Sequence, residues 1–443
     1  MKSGRTTPIE IPFISGGKSG ATAYCWPIHS RMGHVWGKVF TRGTRFGLIR
    51  SQFVQPSRRN PSLKTSMSKK VIIAGGGIGG LAAALALHRA GIDVTVYERA
   101  PEFTEVGAGI SLWPNATRVL QSLGMLAEVL SRGAVFTRFD LKRSDGKLIS
   151  GIPMTGLSTP SLCLHRADLH AALRGALPPA CLVAGQTLNS FSRDASGVVA
   201  RFASGLEARA DGLIGADGIN SAVRSQLHGA ADPVYRGYRI WRGIARDVGG
   251  TDRGHITETW GSGYRFGIMP IGQHRICWYA TRNAESSEPD VPGGRKGEVL
   301  GLFKNWHHPI PALIEATPPG DIIKTDACDR QALRKWGEGC VTLLGDAAHP
   351  MTPNVGQGAC MAIEDAACLA KMLTGASDMG AAFRAYEAIR QRRTAFVARQ
   401  ARRIGMIGQW ESPWVVPGRN FVARLVLLLS PGARHNPVYA YEA

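Results

Sequence analysis

Three runs of residues in this chain have the types and spacing needed to hold a dinucleotide. The first is Gly75-Gly76-Gly77-Ile78-Gly79-Gly80, which fits the pattern GxGxxG at Gly75, Gly77 and Gly80, with Glu98 following 23 residues after Gly75. Glycines permit the tight turn and let a pyrophosphate approach the backbone at a helix N-terminus, and a carboxylate at the next strand end can accept both hydroxyls of an adenosine ribose. Alone, this run reports a dinucleotide and does not separate FAD from NAD. That distinction falls to the second run, Asp211-Gly212-Leu213-Ile214-Gly215-Ala216-Asp217-Gly218, continued by Ser221, Val223 and Arg224. The third is Gly345-Asp346-Ala347-Ala348-His349-Pro350, running through Pro353 to Gly356-Gln357-Gly358 and then Glu364-Asp365-Ala366. Here an aspartate at a strand end can hold the hydroxyls of an extended cofactor. The glycine turn entering a long helix aims free N–H groups and a positive dipole end at whatever lies there, and for a reduced flavin that is the negative locus at N1 and the C2 carbonyl.

The elements that must carry these runs follow from the apolar pattern. Val71 to Ala74 is a continuous apolar run ending in glycines, as a buried parallel strand should be. Leu81 to Ala90, stopped by Gly91, predicts a helix, and Val94 to Tyr97 a second strand, so the first run sits in one βαβ unit. A further helix is expected from about Asn115 to Leu123. Strands are expected between about Arg201 and Gly215, and alternation such as Arg239-Ile240-Trp241-Arg242 and Ile276-Cys277-Trp278-Tyr279 predicts an antiparallel sheet over 236–285. Val341 to Leu344 returns as a buried strand, and helices are expected over Gly358 to Leu373 and Tyr386 to Arg403. The predicted fold class is α/β: a Rossmann-type FAD-binding domain (67–235 and 331–375) interrupted by a mainly antiparallel β-sheet substrate domain (236–330), with a C-terminal helical region (376–443).

Composition narrows the function class. The net charge of +20 invites a nucleic-acid reading, but residues 1–66 hold eleven Lys or Arg against one acid, Glu10, and so carry half the excess. The rest shows no basic stripe interleaved with aromatics, so no nucleic-acid partner is expected, and the basic bias suits anionic cofactors and substrates. Residues 1–66 are Arg-rich and acid-poor with frequent Gly and Pro; transit and twin-arginine signals fit them poorly, and they are expected to be a disordered basic extension ahead of a folded protein that begins at Met67. The eight cysteines show no CxxC pair and no metal-ligand spacing, which predicts free thiols in a reducing, cytoplasmic setting and no metal. No stretch of about 18 uninterrupted apolar residues occurs, so no transmembrane segment is expected. Phe421 to Leu429, broken by Arg424, is expected to be a buried or partner-facing helix.

With its three runs in this order, the chain resembles the flavoprotein aromatic hydroxylase family, the single-component FAD monooxygenases typified by para-hydroxybenzoate, salicylate and 3-hydroxybenzoate hydroxylases. The likeness extends over roughly 69–410 and takes in Val106 to Ala116, His165 to Leu169, Tyr235 to Tyr238 with Trp241 to Gly243, and Tyr386 to Thr394. The resemblance implies cofactor contacts by Gly75, Gly77, Gly79, Gly80, Glu98 and Arg99 at the adenosine and pyrophosphate end. It implies Arg166 near the pyrophosphate, Leu188 near the adenine, Ser111 near the flavin, Asp346 on the sugar chain, and Gly356, Gln357, Gly358 and Ala359 around the isoalloxazine. Asp211 and Asp217 belong to a motif linked in the family to FAD and NAD(P)H, and Pro353 lines the space between flavin and substrate. The implied activity is NAD(P)H- and O2-dependent hydroxylation of an aromatic or other electron-rich small molecule through a flavin C4a-hydroperoxide, by a monomer or homodimer, with NADH or NADPH as co-substrate. The chain departs from relatives that place a His and a Tyr on the central sheet, having Tyr238 and Trp241 there. Tyr238, Arg242 and Pro353 are the catalytic candidates, and Trp241, Tyr264 and Arg265 are possible substrate contacts. His349 is expected to be structural. Alternatives are an epoxidase of an isoprenoid-type substrate, or a flavin oxidoreductase without oxygenation.

Overall fold

Five short runs rich in Val, Ile and Leu form the parallel sheet that the glycine loop requires. Lys70–Ala74 (β1) leads through the helix Ile78–Arg89 (α1) to Asp93–Tyr97 (β2), and Gly212–Gly215 (β3) pairs on the other side of β1. Leu182–Val183 and Val341–Leu343 complete the sheet, all five strands being parallel, and β1 and β3 are buried on both faces as continuous apolar strands should be. The computed structural model describes residues 69–104, 107–429 and 436–442, with the backbone of two short antiparallel strands, Ile9–Glu10 and Tyr24–Cys25. Contacts separate Met1–Ser66 from Met67–Ala443 as two compact units. Apart from that strand pair, the expectations for the basic extension lie outside the described residues.

Between β3 and the return to the parallel sheet runs the predicted antiparallel sheet, built on Val234–Arg246 (β4), His255–Trp260 (β5), Tyr264–Pro270 (β6), Arg275–Asn283 (β7) and Ile323–Asp329 (β8) in the order β8-β4-β7-β6-β5. Two strands from earlier in the chain, Arg138–Arg143 and Leu148–Pro153, extend it to seven, the first joining β5 in parallel. The antiparallel sheet thus draws on strands from within 67–235 as well as from 236–330.

Successive side chains of a strand point to opposite faces. Tyr238, Ile240 and Arg242 on β4 face a large cavity. Trp241 faces the other way into an apolar core with Phe266, Trp278 and Phe303, and is fully buried. Replacing Trp241 with phenylalanine removes volume from that core and no hydrogen bond, because its indole Nε1 has no partner. The expected result is a loss of about 1–2 kcal/mol of stability, read from urea unfolding, with KM unchanged.

Three helices close the chain: Gly358–Leu373 (α2), Met379–Gly408 (α3) and Val415–Leu429 (α4). The first has the predicted bounds, and the second begins earlier and ends later than its apolar pattern indicates. Gly79 lets α1 lie close to α2, since a Cβ there would stand 3.1 Å from the Ala362 Cβ.

Candidate active site

The three glycine-bearing runs meet at the carboxyl ends of β1 and β3, where an α/β sheet offers its crevice. Gly75 has φ +106°, and a Cβ on it would lie 2.4 Å from the Ala216 carbonyl oxygen and 2.9 Å from Asp217 Cα, so the first run seats directly on the second. Gly77, the N-cap of α1, has no side-chain cap, and a Cβ there would meet nothing within 4 Å. That open ground at an uncapped helix N-terminus is anion-binding geometry. Glu98 is fixed beside it, its Oε2 accepting from the Gly76 N–H at 2.6 Å and its Oε1 from the Ala100 N–H at 2.9 Å.

The other two acids are poised differently. Asp217 Oδ2 accepts from the N–H groups of Ala222 and Val223, at 2.7 and 3.2 Å, whereas its buried Oδ1 has no partner. Burial raises its pKa, and its hydrogen bonds with Ser221 and the backbone oppose the rise. Asp346 is accessible to the cavity but ringed by protein; loss of solvation raises its pKa against the pull of His349 and Arg166. An orphaned carboxylate oxygen, an accessible carboxylate and an uncapped helix end fit the hydroxyls and pyrophosphate of FAD.

These groups open onto one cavity of about 1490 Å3 that continues under the antiparallel sheet. Of the expected cofactor contacts, Gly75, Gly77, Gly79, Glu98, Arg99, Ser111, Arg166, Leu188, Asp217, Asp346, Gly356, Gly358 and Ala359 line it. Gly80 does not; a Cβ on it would meet the Gly75 carbonyl oxygen at 2.0 Å, so its role is loop packing. The buried Gln357 side chain turns away to accept from Asn115 Nδ2 at 2.9 Å. Asp211 lies at the far end of β3, its Oδ2 accepting from the Lys70 N–H.

On the substrate side, Tyr238, Arg242, Arg265 and Pro353 line the cavity, but Trp241 and Tyr264 stand on the opposite face of the sheet and are not brought into it. Period-2 alternation on β4 and β6 puts them there. Arg265 is fully buried and already engaged: Nε donates to Gln409 Oε1 at 2.7 Å, and the terminal nitrogens to Asn354 Oδ1 at 2.7 Å and Glu258 Oε1 at 3.3 Å. Its guanidinium lies 5.4 Å from the Tyr238 ring centroid, and Asn354 Nδ2 donates to the Tyr238 hydroxyl at 2.9 Å. Arg242 is the contrasting case. It donates to Thr325 Oγ1 at 3.1 Å and forms no ion pair with a described carboxylate; burial, then Arg166, lowers its pKa against the influence of Cys277 and Tyr238. His349 is held on Asp365, 2.6 Å from Nε2 to Oδ2, and does not line the cavity.

Several residues of the cavity carry no motif that would announce them. Asn354 lies within the third run, between Pro353 and Gly356, and that adjacency is its only signal. His170 holds the Gly76 carbonyl at 2.8 Å, and Tyr439 stacks on Trp113 with centroids 4.5 Å apart. The tail around Tyr439 is pinned by Arg393, which donates to the carbonyls of Pro437 and Val438 at 2.8 and 2.6 Å, and by Arg118 to those of Tyr439 and Tyr441.

Comparison with known proteins accords with this arrangement. Residues 68–403 match the family model described as FAD binding domain. The chain is 41% identical over 368 residues to aurachin C monooxygenase/isomerase of Stigmatella aurantiaca, covering 82% of this chain and 95% of that protein. It is 35% identical over 347 residues to 6-hydroxynicotinate 3-monooxygenase of Bordetella bronchiseptica, covering 74% of this chain and 90% of that one. Among solved structures, Klebsiella pneumoniae HpxO complexed with FAD and uric acid superposes with a TM-score of 0.76 at 28% identity, covering 81% of this chain and 93% of that one.

Proposed function

This chain belongs to the FAD-binding family of aromatic-hydroxylase-type monooxygenases, and from that premise we propose that it uses NADH or NADPH and O2 to hydroxylate an electron-rich aromatic or nitrogen-heteroaromatic ring bearing an ionisable oxygen. The observation that carries the reading is the continuity of one cavity from Gly77, Glu98 and Asp346 to Tyr238 and Arg242. One relative named for 6-hydroxynicotinate and one similar structure that holds uric acid support this ring class. FAD, when bound, supplies hydride acceptance and activation of O2 for transfer of one oxygen atom. The protein's own side chains do the rest. Arg242, poorly solvated and without a carboxylate partner among the described residues, pairs with a substrate oxyanion and favours the deprotonated, electron-rich ring. Tyr238, held by Asn354 and backed by Arg265, offers a hydroxyl to the same end of the substrate. Apolar walls such as Ile240, Ile256, Met154 and Met269 exclude water and accommodate an apolar substituent. We place the reaction in the cytoplasm, with a monomer or homodimer as the working unit.

The test is a panel of hydroxylated pyridines, quinolines and phenols, with and without alkyl chains, following NAD(P)H oxidation, peroxide release and incorporation of labelled oxygen from 18O2. Coupled turnover with one labelled atom in a ring hydroxyl supports the reading. Stimulation that ends wholly in peroxide across the panel overturns it. The apolar wall also favours the second reading, epoxidation of an isoprenoid-type substrate, whose label would appear in an oxirane. Arg242→Met is expected to raise KM for the coupled substrate roughly 10- to 100-fold, the worth of one charged hydrogen bond, with FAD content unchanged.

A further inference from the structure

The helix α4 is apolar on its exposed side as well as on its packed side. Its inner side is clamped: Ala423 and Leu427 pack against Leu141, Ile149 and Trp260, and the buried Arg419 donates to the carbonyls of Gly408, Trp410 and Gly261 at 3.1, 3.1 and 3.0 Å. At 100° per residue, the side opposite carries Phe421, Leu425, Leu428 and Leu429, and Val415, Val422 and Val426 lie on the flank toward the cavity, all apolar and all exposed. Phe421 is 67% exposed and Leu429 74%, and Trp414, just before the helix, is 93% exposed. The end of α3 and the turn after it add exposed Ile404, Met406 and Trp410. A surface helix normally turns its apolar stripe inward, and a continuous exposed stripe marks an interaction face.

We propose that this face docks the protein peripherally on an anionic lipid surface, with the mouth of the cavity against the lipid. Three observations favour lipid over a second copy of the chain. Residues 399–429 contain five arginines and a single acid, Glu411, and Arg399, Arg403 and Arg424 are exposed, so two copies meeting through this face would oppose like charges, whereas an anionic headgroup layer complements them. Tryptophan suits the boundary between headgroups and acyl chains, and Trp410 and Trp414 stand at the edge of the stripe. The same segment forms the cavity rim: Trp410, Trp414, Val422 and Val426 line the cavity. At 15 residues α4 spans about 22 Å, and no described helix is long and apolar enough to cross a membrane, so the helix lies in the plane of the surface.

The experiment is vesicle flotation of the purified, FAD-loaded full chain with phosphatidylcholine vesicles, with and without phosphatidylglycerol. The wild type is expected to float with the anionic vesicles and to be released by high salt. Leu425 and Leu429 lie off the cavity, so the double variant Leu425→Glu with Leu429→Glu should keep the wild-type flavin spectrum and melting temperature while its partition to anionic vesicles falls at least about tenfold. Arg403→Glu with Arg424→Glu should weaken binding to the anionic vesicles selectively. Absence of flotation, equal flotation of wild type and Leu425→Glu with Leu429→Glu, or a lipid-independent dimer that this variant dissolves would each overturn the proposal. Flotation involves no substrate, so its failure is distinguishable from a failure of the proposed activity.

Discussion

Gly75→Ala is expected to yield a protein that purifies without its yellow colour. At φ +106° a side chain costs about 1–3 kcal/mol in backbone strain alone. The added Cβ would also stand 2.4 Å from the Ala216 carbonyl oxygen, a backbone atom that cannot swing aside. Either the first run shifts away from Asp217 or the second run yields, and both dismantle the seat of the pyrophosphate. The expected loss of FAD affinity is on the order of 100-fold or more, about 2.8 kcal/mol, read from the flavin-to-protein absorbance ratio and by titration of the FAD-free protein. Gly77→Ala separates the two causes. Its Cβ meets nothing within 4 Å and its backbone is unstrained, so the FAD-free protein should melt as the wild type does while the methyl occupies ground the cofactor needs.

The second large effect is expected at Arg390. Its Nε donates to Asp365 Oδ1 at 2.7 Å and a terminal nitrogen to Glu364 Oε2 at 2.6 Å, and all three side chains are fully buried. Arg393 and Asn115 share Glu364, and His349 shares Asp365. Arg390→Met leaves two buried carboxylates short of a cation, and the expected destabilisation is about 3–5 kcal/mol, measured as a shift of the urea unfolding midpoint in the FAD-free protein. The pH dependence has a definite sign. Burial pushes Asp365 up, but His349 and Arg390 outweigh it and hold the carboxyl at about 2, below its ordinary 3.8. A depressed carboxyl contributes stability that is present in full above the unfolded value and lost as pH falls through the folded one. The network therefore weakens between pH 3.8 and about 2, and the acid limb of the wild-type stability profile should be steeper than that of Arg390→Met.

Much of the cofactor end is legible in the sequence because its chemistry is backbone chemistry. Glycines at Gly75, Gly77 and Gly356 and acids at Glu98, Asp217 and Asp346 are needed where a strand turns into a helix, and such junctions leave local patterns. The bounds of α2 are equally local. The substrate end is different. Alternation along β4 announces a two-faced strand but not which face meets the cavity, and on that parity Arg242 enters while Trp241 does not. The parallel pairing of His255–Trp260 with Arg138–Arg143 joins segments more than a hundred residues apart, and no local pattern reports it. Phe421 to Leu429 shows as an apolar run, yet only the packing of Ala423 and Leu427 reveals which of its apolar residues turn inward and which stay exposed.

The cradle for the cofactor gathers Gly77, Asp217, Asp346 and Gly358, and its wall is completed by Tyr439 on the tail that Arg118 and Arg393 hold. Gly77 and Tyr439 are separated by most of the described sequence, so the wall closes only when the tail has docked. A glycine loop folded without that tail thus has no finished seat for FAD.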